Sequence, residues 1–361
     1  MRLRNLTFLI CVLTGLGCSV SAFAQPTDDL KLKKKPKSGP TPASRPPVWL
    51  MSVKSAVKRG PISRPAPASC SAIDYRKRFP PIRDQDSVGW CYAFTAADLI
   101  TFKTGVNISP IDIAVSTESS KESYFQRLKG LFLSGDHAGA RLTEDGDWAE
   151  KAINHAATKG FCREKDLPSD DYRYSQYVGN IKEILTEVGK LRKKAIPRTS
   201  RGAPFCFDKY KQYFPNITAS EMADVLDSFS WRPLLDQMVD LTCKSRIKIN
   251  GLEAKGMIVT SDSSASKLKN LNHILESGRP SGIGYNPSVI VDRDAKIEIP
   301  GGHDSSIVGR SWNGSECEYI VRNSWGPRCA SADWHYRCER GYVFIPASKL
   351  IPAIGILYYV R

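Results

Sequence analysis

One run of the chain is apolar almost all round. Tyr92, Ala93, Phe94, Ala96, Ala97, Leu99, Ile100 and Phe102 follow Cys91 and stop at Gly105. That pattern predicts an Ala-rich helix closed by a glycine, and a helix without a polar face belongs at the centre of a fold. Ser109-Pro110-Ile111-Asp112 opens the next helix with a capping side chain, a proline at the first helical position and an acid three residues after the cap. Trp148, Ala152, Ile153 and Ala156 mark another, ending at Gly160. Ile181, Ile184, Leu185, Val188 and Leu191 recur at helical spacing and run into Lys190, Arg192, Lys193 and Lys194, which suit the negative end of the helix dipole. Met222, Val225, Leu226 and Phe229 follow Ser220, and Pro233 restarts the pattern with Leu234, Leu235, Met238, Val239 and Leu241.

The first 68 residues read differently. Arg2 and Arg4 precede an apolar stretch from Leu6 to Val20, too short to span a bilayer, and Ala22-Phe23-Ala24 follows. This is the pattern of a secretory signal cleaved after Ala24, giving a secreted or periplasmic protein; the rival reading is lipidation at Cys18. Residues 25–68 are rich in Pro, Lys and Ser and cannot bury enough apolar surface to order themselves, apart from the short patch Val48-Trp49-Leu50-Met51. They form a basic tail or a short prosegment, and the folded body is expected over 69–361.

Composition narrows the class. Of the 361 residues 41% are hydrophobic and 25% charged, which is ordinary for a globular chain and excludes wholesale disorder, collagen repeats and coiled coil. No later stretch is apolar for long enough to cross a membrane, so no membrane span is expected in the body. The net charge of +15 resembles a nucleic-acid signal until it is located. Residues 25–68 hold ten basic against two acidic side chains, and Arg2 and Arg4 lie in the leader, so most of the excess precedes the body. Without aromatic residues interleaved for stacking on bases, no nucleic-acid partner is expected. Export implies an oxidising compartment in which cysteines pair. Cys329–Cys338 is the favoured pair, with Cys206–Cys243 next, and Cys91 is left free. No Cys-x-x-Cys pair or histidine spacing suggests zinc, and neither metal nor organic cofactor is implied.

The candidate chemistry lies at the start of the apolar helix, in Asp84-Gln85-Asp86-Ser87-Val88-Gly89-Trp90-Cys91-Tyr92-Ala93-Phe94. Cys91 falls in the first helical turn, where free N–H groups and partial positive charge favour thiolate. Gly89 lets the chain turn before the helix. Gln85, six residues upstream, offers an amide that with the Cys91 N–H could hold the oxyanion of a tetrahedral intermediate. Taken alone, Cys91 could equally be a buried structural thiol.

This segment resembles the cysteine signature of the papain/cathepsin family, C-G-[SA]-C-[WY], here Val88-Gly89-Trp90-Cys91-Tyr92. Val88 replaces a cysteine that the family bridges, and Trp90 replaces a small residue beside the cleft. Gly301-Gly302-His303-Asp304-Ser305-Ser306-Ile307-Val308-Gly309 resembles the family's histidine strand, and Glu318 to Gly326 its asparagine strand with the Asn323-Ser324-Trp325-Gly326 turn. Asp304 stands where the family has a small residue. The resemblance implies an α+β, two-lobed papain-like fold, a helical lobe beside a twisted antiparallel β-barrel. It implies Cys91 as nucleophile, His303 as base, Asn323 orienting His303, Gln85 as oxyanion donor and Trp325 shielding the His303–Asn323 contact. Gly89, Trp90, Gly146, Asp147 and Trp325 would line the substrate cleft, Gly146-Asp147-Trp148 standing where the family has its glycine pair. Leu275 to Gly284 resembles the strand leading into the β-lobe. Cys91 and His303 are 212 residues apart, against roughly 130–150 in the family, which places a helical insertion at about 172–255.

The resemblance thus implies a cysteine endopeptidase acting on peptide or protein substrates. A catalytically weak binding or scaffold protein on the same fold is the alternative from another class, motivated by Trp90, Asp147 and Asp304. Acyl transfer to an amine would use the same triad.

Overall fold

The computed structural model describes residues 70–86, 88–121, 147–170, 177–184, 211, 213–227, 234–291, 302–329 and 336–361. The leader with its cleavage site, Cys18, the 25–68 tail with its apolar patch, Gly146, Cys206, Gly301 and residues 185–210 lie outside these.

The helices come first in the chain. α1 (Cys91–Thr104) is buried from Cys91 through Phe102, as its all-apolar surface requires, and ends on Gly105 at φ 71°, a left-handed position that glycine takes without a Cβ clash. α2 (Pro110–Lys121) starts at the expected proline, and α3 (Ala149–Lys159) buries Ala149, Ala152, Ile153 and Ala156. Both pack on α1. Within the expected insertion, a helical stretch α4 (177–184), α5 (Ala219–Asp227) and α6 (Leu234–Thr242) follow. Val178, Ile181, Met222, Met238 and Val239 join the core that α1, α2 and α3 build.

The rest is mainly antiparallel sheet. Its strands are β1 (Ile73–Asp74), β2 (Ala254–Ile258), β3 (Ser281–Tyr285), β4 (His303–Trp312), β5 (Cys317–Arg322), β6 (Cys338–Glu339), β7 (Tyr342–Pro346) and β8 (Ile354–Val360). They pair in the order β2-β8-β3-β4-β5-β7-β6, with β1 added alongside β4. β2 begins inside the expected insertion, so that segment hands over to the sheet at Ala254. α7 (Ser264–Glu276), opened by the Ser263 hydroxyl accepting from the Ser266 N–H, covers a second core with α8 (Ser288–Val291) and α9 (Ala347–Ala353). Leu271, Leu275, Ile283, Ile307, Val321, Val343 and Leu350 fill that core. β4 is buried from His303 through Arg310, which is why it reads as an almost continuous apolar and small run without two-residue alternation. No described helix is long and apolar enough to cross a membrane.

α1 lies against β4, and a buried ion-pair cluster ties the two. Asp98 of α1 receives Arg83 Nη2 at 2.8 Å and Arg322 Nε at 2.7 Å and Nη2 at 3.1 Å. Arg83 Nη1 also reaches Glu164 and the Ile108 carbonyl, while Arg322 donates to the Pro80 and Pro81 carbonyls and to Tyr342 Oη. Burial works to raise the Asp98 pKa, but the two guanidinium groups win and hold it below the usual carboxylate range.

Three disulfides link described residues: Cys70–Cys317, Cys162–Cys243 and Cys329–Cys338. The last is the favoured expectation. Cys206–Cys243 is corrected, because Cys243 pairs with Cys162. Phe161 donates to the Ile247 carbonyl at 2.9 Å and Ile247 returns the bond, which brings the Cα atoms of Cys162 and Cys243 to 5.4 Å, within bridging range. Cys70–Cys317 follows from topology, since β1 pairs with β4 and β4 pairs with β5, where Cys317 begins the strand. A non-reducing peptide map of the purified chain should recover all three linked peptides; a Cys206–Cys243 peptide in their place would contradict this pairing.

Candidate active site

Four elements converge on Cys91, the only free cysteine among the described residues. It is the first residue of α1, preceded by Trp90 as the N-cap, whose carbonyl accepts from Ala93 at 2.9 Å and Phe94 at 3.1 Å. The N–H groups of the first turn have no partner within the helix. Backbone N–H groups of Asp304, Tyr92 and Cys91 itself act on Cys91 Sγ and favour thiolate. They are outweighed. Burial first, then the charge of Asp304, pushes the thiol up to about 12. The expectation that the helix terminus would yield a resting thiolate is therefore corrected: in the closed site Cys91 is a thiol.

His303 opens β4 and Asn323 follows β5, so the pairing of these two strands sets one beside the other. His303 Nε2 lies 2.7 Å from Asn323 Oδ1. That oxygen also accepts from the Ser324 N–H at 2.9 Å and the Ser305 hydroxyl at 3.3 Å. A backbone N–H cannot be turned into an acceptor, so the Ser324 bond fixes which end of the amide faces His303. An amide oxygen only accepts, so Nε2 must carry the ring proton and the neutral ring presents Nδ1 as its basic atom. Burial lowers the His303 pKa to about 4, against the opposing Asn323 bond, so the imidazole rests neutral. Trp325, half-buried, lies over the ring with centroids 5.0 Å apart, in the expected shielding position. Tyr285, paired with His303 across β3 and β4, meets the ring edge-on at 5.6 Å and bonds Ser305 Oγ at 3.1 Å.

Gln85 is held from three sides. Its N–H donates to the Ser324 carbonyl at 2.8 Å, its Oε1 accepts from Ser324 Oγ, and its Nε2 donates to the Val88 carbonyl at 2.8 Å. Nε2 carries two hydrogens, so one remains beyond the Val88 bond.

The expected cleft residues fare unevenly. Trp90 is only 1% exposed, packed in the helical core with Nε1 lacking a partner, so it is corrected from cleft wall to core residue. Its bulk is accommodated inward, toward the apolar helices. Gly89 is half-buried before the helix, but the left-handed turn falls on Asp86, at φ 53°. Asp147 is half-buried, bonded to the Trp148 N–H at 2.7 Å, and its charge reaches both Tyr92 and Asp304.

Asp304 is the main feature that sequence reasoning underweighted. Its Oδ1 accepts from Tyr358 Oη at 2.7 Å. A Cβ on Gly282 would lie 1.9 Å from the Tyr358 ring, so this bare position on β3 is what lets the ring reach across. Burial, opposed by the Tyr358 bond and assisted by the charge of Asp147, raises the Asp304 pKa to about 7. A carboxyl raised on folding holds its proton longer in the native state, so its contribution to stability falls as pH climbs from about 4 to about 7. Its ionisation also raises the cost of the Cys91 thiolate. Asp304→Asn should therefore retain thiol reactivity above pH 7 where the wild type loses it. Rates of alkylation by iodoacetamide across pH 5–9 measure this, and identical alkaline limbs in the two proteins would refute it.

No protein-family model matches the chain, and no curated protein matches it. Its structural neighbours are papain-like cysteine proteases. A proform of the Amb a 11 cysteine protease, a ragweed pollen allergen, is 14% identical with a TM-score of 0.43, over 83% of this chain and 66% of that one. The chain thus spans just under two thirds of that proform. A structure on the mite allergens Blo t 1 and Der p 1 is 14% identical with a TM-score of 0.44, over 85% and 75%. Digestive procathepsin L 3 of Tenebrio molitor larval midgut is 13% identical with a TM-score of 0.42, over 84% and 73%. Likeness at this level transfers no chemistry, which is read here from the side chains alone.

Proposed function

We propose that the chain is an exported papain-like cysteine endopeptidase, with the sheet as its barrel lobe and Cys91, His303, Asn323 and Gln85 as its catalytic set. The observation that supports it is the 2.7 Å bond from His303 Nε2 to Asn323 Oδ1, which leaves Nδ1 as base while the Asp304 N–H aims at Cys91 Sγ.

The steps follow from that tautomer. His303 Nδ1 takes the thiol proton as Sγ attacks the scissile carbonyl carbon, so the pair of charges forms only as the substrate arrives. The resulting oxyanion sits between the Cys91 N–H and the second Gln85 Nε2 hydrogen. His303 then gives its proton to the departing amine nitrogen as the C–N bond breaks, leaving a thioester. Water, deprotonated by Nδ1, attacks the thioester carbon, and Sγ leaves and recovers the proton. The Asn323 oxygen keeps the ring in one tautomer throughout and stabilises the imidazolium. Three disulfides suit an oxidising compartment.

A specific observation favours the second reading, a binding or scaffold protein: the buried thiol is held at about 12. A peptidyl vinyl sulfone separates the two. Covalent labelling of Cys91 in the folded chain, with hydrolysis of a peptide library by the same preparation, is the expected result. Intact, folded chain that neither labels nor hydrolyses would leave the scaffold. Added amine diverting the acyl group into an amide product would identify acyl transfer.

A further inference from the structure

The residue after Gln85 is in an unusual state. Asp86 has φ 53°, and among the described residues only Arg340 is another non-glycine in that region. Left-handed backbone is uncommon for a residue with a side chain and persists where its surroundings over-determine it. Here the surroundings are two. The Asp86 N–H is fixed on Asp84 Oδ1 at 2.8 Å. Its carboxylate Oδ2 accepts from the N–H groups of Val178 at 2.8 Å and Gly179 at 3.2 Å. Those are first-turn amides of α4, which have no partner inside their own helix, and an anion at that end also meets the positive end of the dipole.

The contact is therefore a strut between two parts of the molecule with different tasks. On one side is the expected insertion, whose α4 is anchored by buried Val178, Ile181 and Ile184. On the other is the turn that presents Gln85, closed by the Val88 N–H on the Gln85 carbonyl at 3.2 Å and leading straight to Trp90 and Cys91. A glycine would take this backbone shape without strain but could not grip α4.

We propose that Asp86 is a positioning residue through which the 172–255 segment holds the Gln85 turn in its working geometry, so that the segment preorganises the oxyanion donors. This rests on the peptidase reading above. The segment acts on the transition state through a loop it grips, without itself contributing a reacting group.

The experiment uses the full chain and one small peptide substrate. Asp86→Gly removes the carboxylate while leaving the backbone shape accessible; Asp86→Asn keeps an acceptor oxygen. Gly179→Pro deletes one donor from the α4 side, at a helix start where proline is tolerated. Loss of a whole oxyanion donor costs on the order of 10²–10³ in kcat, so loosening one is expected to cost about tenfold. Asp86→Gly should lower kcat about tenfold with KM little changed, Asp86→Asn should restore most of it, and Gly179→Pro should lower kcat in the same sense. In the double variant the two effects should not add, because they break one contact. Glu221→Gln, which weakens the α5 cap formed with Thr218 away from Asp86, is the control and should leave kcat unchanged.

Amide hydrogen exchange supplies a readout independent of turnover. In Asp86→Gly, protection should fall at Val178 and Gly179 and also at Val88. Faster exchange at Val178 with unchanged kcat and unchanged protection at Val88 would overturn the proposal, since the strut would be broken without consequence. If Asp86→Gly does not fold, the same readings on Gly179→Pro decide. Wild-type chain without Cys91-dependent turnover would sink the peptidase reading instead, and the Val88 exchange would then decide the coupling alone.

Discussion

Cys91→Ala should lower kcat/KM on peptide substrates by a factor on the order of 10⁴–10⁶, and His303→Ala by a similar one. The two act as one unit. Without the sulfur there is no atom to carry the acyl group, and without Nδ1 the thiol, held near 12 by burial and Asp304, stays protonated at any working pH. The double variant should thus be no worse than either single one. Asn323→Ala is expected to be milder. It deletes the oxygen that gathers His303, Ser305 and the Ser324 N–H, but Trp325 still covers the ring and restricts it. Gln85→Ala should retain more still, because the Cys91 N–H remains, with a loss of about 10²–10³. Initial rates normalised to vinyl sulfone titration measure all four. Undiminished turnover in Cys91→Ala would remove the mechanism entirely.

Asp98→Ala should be the most damaging substitution for stability outside the site. Two guanidinium groups converge on this carboxylate in a place only 7% exposed. Removing it strands Arg83 and Arg322 as buried like charges, and breaking a buried pair by deleting one partner typically costs about 3–5 kcal/mol. For a domain of this size that corresponds to a fall in thermal midpoint of about 10 °C. The sign with pH follows from the lowered pKa. The ionised Asp98 contributes fully above the unfolded value of about 3.9, and its contribution is lost as pH falls through the lower folded value. The deficit of the variant should therefore be large at pH 7 and shrink in acid. Because Arg322 precedes Asn323, activity should weaken alongside stability. Denaturant melts at pH 7 and pH 3 test this; equal melts for variant and wild type at pH 7 would show that the cluster contributes nothing.

The elements that sequence reasoning found share one property: their signal is local. The run from Cys91 to Gly105 has one apolar surface and one stop, and Pro110 marks the start of α2 from within four residues. His303 and Asn323 were legible through the motifs that flank them. What escaped depends on approach through space. The grip of Asp86 on α4 joins residues about ninety positions apart, and nothing around Asp86 announces a left-handed backbone. Tyr358 reaches Asp304 only because Gly282 is bare, a fact about two strands at once. Cys243 has Cys206 as a plausible mate by distance along the chain, and only the Phe161–Ile247 bridge selects Cys162. The burial of Trp90 was missed for a related reason: a family template suggests which position faces the cleft, while the room behind it is set by distant helices.

The Cys70–Cys317 bridge has a consequence for what proteolysis can release. It closes a covalent ring around every residue from 71 to 316, and the Cys162–Cys243 ring is nested inside it. A single nick anywhere within that ring, self-inflicted or foreign, yields a two-chain molecule that migrates as one until it is reduced. Cys91 and His303 both lie inside, so a nicked molecule keeps both halves of its chemistry tethered. Upstream of Cys70 no such ring exists, and a cut there sets a peptide free. Cys70 thus marks the border between sequence that can be shed and sequence that cutting alone cannot remove.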